Sequence, residues 1–103
     1  MDPQVCRRVL RLVGLGLRGR GVVVGVEQVR NAARRGTLAL AIVASDASSN
    51  SLAKVVPLLK ARRINLVAVP SAEQLGAAVG RDQTAAVGVV DRQLAAGIEA
   101  LAR

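Results

Sequence analysis

The segment TLALAIVA, residues 37–44, is a nearly continuous apolar run. It ends at the polar pair Ser45-Asp46, and its length is within the usual range of a β-strand. A strand of this kind has no polar face, so it is typical of a sheet that is covered on both sides. The segment therefore predicts a buried strand with a layer of structure above it and another below it.

Strands and helices alternate on either side of this segment. Short apolar runs predict further strands at residues 22–24, 65–69 and 85–90. Apolar spacing and capping residues predict helices at 3–13, 25–36, 52–63, 71–79 and from 91 onward. Because Pro57 interrupts the third of these, we expect a short turn and then a helix that begins near Pro57. The alternation predicts an α/β fold, a single three-layer α/β/α sandwich with a four-stranded mixed sheet over residues 1–103.

The chain is strongly basic and has no aromatic residue. Its formal net charge is +8, and 13 of its 15 basic residues are arginine. A small domain with this charge is expected to bind a polyanion, and arginine pairs bidentately with phosphates and guanine edges. Without Phe, Tyr or Trp, the chain has no platform on which unpaired bases stack. The composition therefore favours a structured nucleic acid, recognised by its shape, its phosphates and a few base edges.

Histidine is absent, and cysteine occurs once, at Cys6. These counts exclude Ser-His and Cys-His catalytic pairs and a histidine–cysteine metal cluster, so we expect no metal and no cofactor. The loop acids Asp46, Asp82 and Asp91 form no pair by spacing, and we expect no enzymatic activity. A lone cysteine fits a reducing cytoplasm, with Cys6 as a small buried apolar residue. No apolar run is long enough for a signal peptide or a membrane span, so we expect a cytoplasmic monomer.

The stretch GLGLRG, residues 14–19, matches the dinucleotide-binding pattern G-x-G-x-x-G. That pattern needs a strand before it and a helix after it. Here the apolar stripe of a helix precedes the glycines and the run Val22–Val24 follows them, so the order is reversed. We therefore predict a glycine-rich loop, in which Gly19 allows close approach and Arg18 and Arg20 contact phosphates. The simpler alternative is a solvated loop.

Several motifs, in this order, resemble the kink-turn RNA-binding ribosomal proteins of the L7Ae type. The stretch RRGTLALAIVASDAS is followed by Pro-Leu-Leu, Val-Pro-Ser, Leu-Gly-x-Ala-x-Gly and AAVGVV. The earlier stretch VLRLVGLGLRGRGVVVGVEQVRNA is most similar to the bacterial YlxQ-type members. The resemblance covers nearly the whole chain. It implies a three-layer α/β/α fold and binding to a kink-turn, an RNA internal loop bent sharply around tandem sheared G·A pairs.

The resemblance also implies a set of RNA-contacting residues. Family members read the kink-turn with an Asn-Glu-x-x-Lys patch at the start of the second helix, which here follows Gly25. Glu27 matches that pattern, Arg30 keeps the charge of the lysine, and Val26 replaces the asparagine. From the residues alone, Glu27 and Arg30 are neighbours on one helix face, and they also fit an ordinary surface pair.

Two loops complete the implied contact surface. The loop before the fourth strand has a small apolar tip in the family, whereas here Arg81 and Gln83 make it polar. The contact after the second strand falls near Ser48, with Leu52 at an apolar position. Asp46 either orients this loop or caps the turn that follows it, and we favour the cap. The basic residues at 34–35 and 60–63 are expected to be charged helix ends.

These observations leave two functional hypotheses. The first is a non-enzymatic protein that binds structured RNA, either a kink-turn or ribosomal RNA, and associates with ribosomes and their proteins. The second is a ribosome- or protein-interaction subunit that keeps the fold and has lost kink-turn recognition. The first is the leading hypothesis, and Val26 and the polar loop 81–84 make the second a serious rival.

Overall fold

Strand β2, Leu40–Ala44, is buried along its whole length in the interior of the sheet. It starts later than the apolar run that predicts it, because residues 37–39 form the connection from the preceding helix. The computed structural model describes all 103 residues. Its elements in chain order are α1 (Pro3–Arg18), β1 (Val22–Val24), α2 (Val26–Arg35), β2 (Leu40–Ala44), α3 (Ser49–Ala61), β3 (Leu66–Val69), α4 (Ala72–Ala78), β4 (Ala86–Val89) and α5 (Arg92–Ala102).

The strands form one mixed sheet in the order β1-β4-β2-β3. Strand β2 pairs with β3 in parallel, whereas the pairs β2–β4 and β1–β4 are antiparallel. In this register, Ile42 is opposite Val67 on one side and Val87 on the other. Helices α1, α4 and α5 cover one face of the sheet, and α2 and α3 cover the other. The predicted α/β/α sandwich with a four-stranded mixed sheet is confirmed.

Alternate side chains of β2 contribute to two hydrophobic cores. Leu40, Ile42 and Ala44 pack with α1, α4 and α5. Ala41 and Val43 point to the opposite face and pack with α2 and α3. None of the five side chains is more than 4% exposed. This burial on both faces explains why the segment has no polar position.

The sheet has two ends that carry different loops. At the upper end, strands β1, β2 and β3 finish and β4 begins. At the lower end, β1, β2 and β3 begin and β4 finishes. Helices α2 and α3 run from the upper end to the lower end, α1 finishes at the lower end, and α5 begins there. The two ends separate the loops that the sequence marks as functional.

The predicted glycine loop is shorter than expected, because α1 continues through Gly14 and Gly16 to Arg18. A methyl group added at Gly14 would lie 3.0 Å from the Ala78 carbonyl, and one added at Gly16 would collide with the Leu94 side chain. The two glycines therefore let α1 pack closely on α4 and α5. Because most of the G-x-G-x-x-G stretch is helical, its backbone N–H groups serve the helix rather than a phosphate.

Helix α3 is continuous from Ser49 to Ala61, so the predicted break at Pro57 is wrong. The helix starts early because the Ser48 hydroxyl accepts a hydrogen bond from the Ser51 N–H at 3.1 Å. Pro57 is exposed, whereas Val55 and Leu59 of the same helix are buried against the sheet. Packing of that apolar face offsets the cost of one missing backbone donor.

Other predicted local features are present. Ser71 accepts a hydrogen bond from the Gln74 N–H at 3.1 Å, and Asp91 accepts one from the Leu94 N–H at 2.9 Å, so both residues cap helices. Cys6 is buried in the α1 side of the core, at 5% exposure. None of the five helices combines the length and the apolar character needed to cross a bilayer.

Candidate nucleic-acid interface

The start of α2 presents free backbone donors at the upper end of the sheet. Gly25 precedes the helix with a φ of 98°, a conformation that favours glycine, and its N–H donates to the Ala86 carbonyl at 2.9 Å. The first bond within the helix runs from the Val29 N–H to the Gly25 carbonyl, and no side chain caps the earlier N–H groups. Such a helix end attracts anions and can donate to acceptor atoms.

The two residues that open α2 have different environments. The Val26 side chain is half-buried and packs against the core between α2, α3 and the sheet. Glu27 is exposed. Its carboxylate is therefore free to accept hydrogen bonds from the amino groups of an approaching ligand.

Arg30 contacts the neighbouring helix α3. Its guanidinium donates a hydrogen bond to the backbone carbonyl of Lys54 in α3. The bond holds α2 to α3, which are also joined lower down by a bond from the Arg62 guanidinium to the Arg34 carbonyl at 3.3 Å. The surface pair that the sequence suggests between Glu27 and Arg30 is therefore not the arrangement in this structure.

The loop after β2 is tied to the start of α4. The Asp46 carboxylate accepts a hydrogen bond from the Ala72 N–H at 2.7 Å. The prediction that Asp46 caps the turn that follows it is therefore wrong. The Ser45 N–H donates to the Val69 carbonyl at 2.8 Å. These bonds fix the position of Ser48, which is exposed and caps α3, and of the half-buried Leu52 in its first turn.

The loop before β4 folds back along α4. The Arg81 N–H donates to the Gly76 carbonyl at 2.8 Å, and the Thr84 N–H donates to the Ala72 carbonyl at 3.0 Å. Gly76 allows this close approach, since a methyl group there would lie 2.5 Å from the Gln83 Cα. The loop therefore brings Gln83 to a groove that also contains Asp46 and Ser48.

These three segments meet at the start of β4. The Ala85 carbonyl accepts from the Ala44 N–H at 2.9 Å, and the next carbonyl along accepts from Gly25. The upper end thus combines the start of α2 with the loops at 45–48 and 81–84. Of the predicted site residues, it brings together Gly25, Val26, Glu27, Ser48, Leu52 and Gln83. Arg81 lies beside this group, near the end of α4.

The structure does not bring Arg18, Gly19 and Arg20 to this group. Arg18 is the last residue of α1 and Gly19 follows it as the helix cap. Further along the loop, the Gly21 carbonyl accepts hydrogen bonds from the backbone N–H groups of Val90 and Asp91. Those residues follow β4, so the loop lies at the lower end, opposite the start of α2.

Some residues of the upper end are absent from the sequence-based prediction. The groove beside Gln83 is also lined by Ser51, Ser71, Glu73 and Thr84. The only sequence signal for this group is that Ser71 caps a helix, and capping predicts local structure rather than proximity to another loop. No group of three or more potential metal-ligating side chains is present.

A comparison with protein families matches residues 7–97 to the ribosomal protein L7Ae/L30e/S12e/Gadd45 family. The chain belongs to this family. The match covers α1 to the middle of α5 and so includes every segment of the upper end. The family predicted from the sequence motifs is confirmed.

Two solved structures resemble this member of the L7Ae/L30e/S12e/Gadd45 family over most of its length. A protein of unknown function from Bacillus halodurans is 31% identical, with a TM-score of 0.83, over 90% of this chain and 94% of that one. The Giardia lamblia 15.5kD RNA binding protein is 19% identical, with a TM-score of 0.81, over 98% of this chain and 92% of that one, and has the same fold. Comparison with curated proteins gave no match.

Proposed function

We propose that the chain is a non-enzymatic protein that binds structured RNA and recognises a kink-turn-like internal loop at the upper end of its sheet. The observation that carries this proposal is the convergence of the start of α2 with the loops 45–48 and 81–84. The same three segments are the contact regions implied by the motif resemblance. Membership of a ribosomal protein family and the fold shared with the Giardia lamblia 15.5kD RNA binding protein support RNA as the ligand.

The chemistry of the upper end suits a base edge that is exposed in a bent helix. The Glu27 carboxylate would accept from amino groups of the bases, while the free N–H groups after Gly25 would donate to a phosphate or a base oxygen. Ser48 and Gln83 add a hydroxyl and an amide beside this position. Leu52, Arg30 and Arg81 are proposed to complete the surface as apolar and cationic contacts.

We extend the proposal to the wider setting of the protein. The arginine- and glycine-rich segment that leads to Glu27 supports a YlxQ-type member, with residues 1–103 acting as a single RNA-binding domain. Such a protein would act in the cytoplasm as a monomer, without a cofactor and away from membranes. Ribosomal RNA or another kink-turn RNA would be the ligand, with ribosomal proteins as further partners.

One alternative has specific support. Val26 replaces the amide residue of the family and packs partly against the core. Arg30 already donates a hydrogen bond to the Lys54 carbonyl. Both features reduce the number of polar groups available to read a base. They favour a protein that keeps the fold and contacts a ribosome or a protein without recognising a kink-turn.

An electrophoretic shift assay separates the two functions. The two RNAs are a kink-turn and the same duplex with its G·A pairs replaced by Watson–Crick pairs. One good base contact discriminates by about 1–3 kcal/mol, so we expect at least about fivefold preference for the kink-turn. Equal affinity for the two RNAs would favour the alternative function.

The variant Glu27→Gln tests whether the Glu27 carboxylate contacts a base. We expect the variant to lose the preference and to keep its affinity for the plain duplex, because a base contact carries sequence information and a phosphate contact does not. Glu99→Gln removes the same charge from α5, outside the upper-end site, and should leave the preference unchanged. An unchanged preference in Glu27→Gln would show that this carboxylate is not a reader.

A further inference from the structure

The basic residues of the chain are concentrated at the lower end of the sheet, away from the proposed reading site. Arg62, Arg63 and Arg92 line one groove there. The Arg62 guanidinium reaches the end of α2, and Arg20 adjoins the loop residue that is bonded to Asp91. We define the lower basic surface as six exposed arginines: Arg20, Arg34, Arg35, Arg62, Arg63 and Arg92.

The upper end has the opposite charge character. Four of the seven acidic residues belong to it, namely Glu27, Asp46, Glu73 and Asp82. The lower end carries two acidic residues, Asp91, which caps α5, and Glu99, which is half-buried in a separate groove with Arg103, and the six arginines outnumber them. The lower end is therefore strongly positive, whereas most of the acidic residues lie at the upper end.

Local structure does not account for half of these arginines. Arg34 and Arg35 are in the last turn of α2, where the helix dipole favours cations. Arg20 and Arg63, however, have φ values of 60° and 55°, a conformation that favours glycine or asparagine. Arg92 is the first residue of α5, where the dipole disfavours a cation. Binding of a negatively charged ligand would explain why arginine occupies these three positions, which the local structure does not explain.

We propose that the lower basic surface is a second RNA-binding site, which contacts the sugar–phosphate backbone of a duplex. Six guanidinium groups suit phosphates, because each planar fork pairs bidentately with two oxygens. A protein partner would normally need an exposed apolar anchor, and neither large apolar side chain in this groove is exposed: Leu38 is at 8% and Ile64 is half-buried. The surface reads no bases, so it would bind duplexes of any sequence.

The two surfaces are placed to hold separate segments of RNA. They share no residue, and along α2 the reading residue Glu27 and Arg34 of the lower basic surface are seven residues apart, about 10 Å of helix. The molecule measures 30 × 28 × 25 Å, so its opposite ends face in different directions. The second site therefore does not depend on kink-turn recognition at the first, and a chain that uses both would bridge two segments of a folded RNA.

A matched pair of triple variants tests the second site. The first is Arg35→Gln, Arg63→Asn and Arg92→Gln, which leaves intact the bond between Arg62 and the Arg34 carbonyl. The control is Arg7→Gln, Arg8→Gln and Arg11→Gln, on the exposed side of α1. Each lowers the net charge by three. The probe is a plain RNA duplex without an internal loop, titrated at several salt concentrations.

We expect the lower-surface variant to bind the duplex at least about tenfold more weakly and its log–log salt slope to fall by up to about three. The control should change by less than about threefold. Equal losses in the two variants, or full affinity in the first, would overturn the proposal. So would equal displacement of the duplex by poly-glutamate of the same total charge, which would indicate an acidic protein instead. Kink-turn preference is measured in a separate assay, so a negative result for the lower basic surface would not contradict the proposed reading site at the upper end.

Discussion

At the level of single side chains, Val26 is where the proposed reading site departs from the family's Asn-Glu-x-x-Lys pattern. Its apolar spacing with Val29 suggests a core residue, whereas the resemblance assigns it to the RNA surface. The structure places its side chain between these two cases. Val29 is fully buried, while Val26, one turn earlier, is half-buried at the rim of the same core. A sequence pattern cannot separate these two cases, because both valines lie on one helix face.

Val26→Asn is expected to improve discrimination for a kink-turn over a plain duplex, because the amide offers a donor and an acceptor beside Glu27. Partial burial limits the cost to about 1 kcal/mol of unfolding free energy, less than for a fully buried valine. Val29→Asn is the control and should lower the free energy of unfolding by at least about 3 kcal/mol, because it buries an amide in the core without a hydrogen-bond partner. Circular dichroism melting and affinity ratios measure both effects. A melting loss at Val26 as large as that at Val29, with no gain in discrimination, would place Val26 wholly in the core.

At the level of helices and strands, the features set by neighbouring residues could be predicted from the sequence. The buried strand β2 and the caps at Ser71 and Asp91 depend on short-range patterns, and all three are present. The continuation of α1 past Gly14 and the unbroken α3 at Pro57 could not be predicted. Each depends on packing against elements distant in sequence, which outweighs the local preference of glycine or proline.

The motif Leu-Gly-x-Ala-x-Gly has a structural explanation in α4. Leu75 is fully buried in the core, and Gly76 contacts the loop that carries Gln83. A methyl group at Gly76 would lie 2.5–2.8 Å from three backbone atoms of Gln83, so the loop would have to move. The motif therefore sets the position of one part of the proposed reading site.

Gly76→Ala is expected to lower the unfolding free energy by about 1–3 kcal/mol, because a backbone segment must shift to accept the methyl group. The matched control is Gly97→Ala in α5, where the nearest atom would be 3.9 Å away and the site is exposed. That change should raise stability by about 0.5–1 kcal/mol through helix propensity. Thermal melting followed by circular dichroism suits a chain without Trp or Tyr. Equal effects of the two changes would contradict the close packing of α4 on its loop.

At the level of the whole molecule, the lower basic surface and the proposed reading site lie at opposite ends of the sheet. The proposed reading residues lie among acidic side chains at the upper end, while the arginines from α2, α3 and α5 meet at the lower end. Composition predicts a polyanion partner, but it could not predict this division. The lower surface is assembled from residues 20 to 92, which only the strand order brings together. Arg18 and Arg20, predicted as phosphate contacts, lie at the opposite end from Glu27 because β1 runs between them.

This division predicts how binding depends on salt. Affinity for a plain duplex should fall steeply, with a log–log slope of about −5 if all six lower arginines contact phosphates, by analogy with duplex DNA. The preference for a kink-turn should depend little on salt, because base contacts release few counterions. Plots for the kink-turn and for the matched duplex should therefore run parallel, displaced by the discrimination factor. A slope near zero with retained affinity would contradict the electrostatic basis of binding. A steeper plot for the kink-turn than for the duplex would mean that additional phosphate contacts, rather than Glu27, carry the preference.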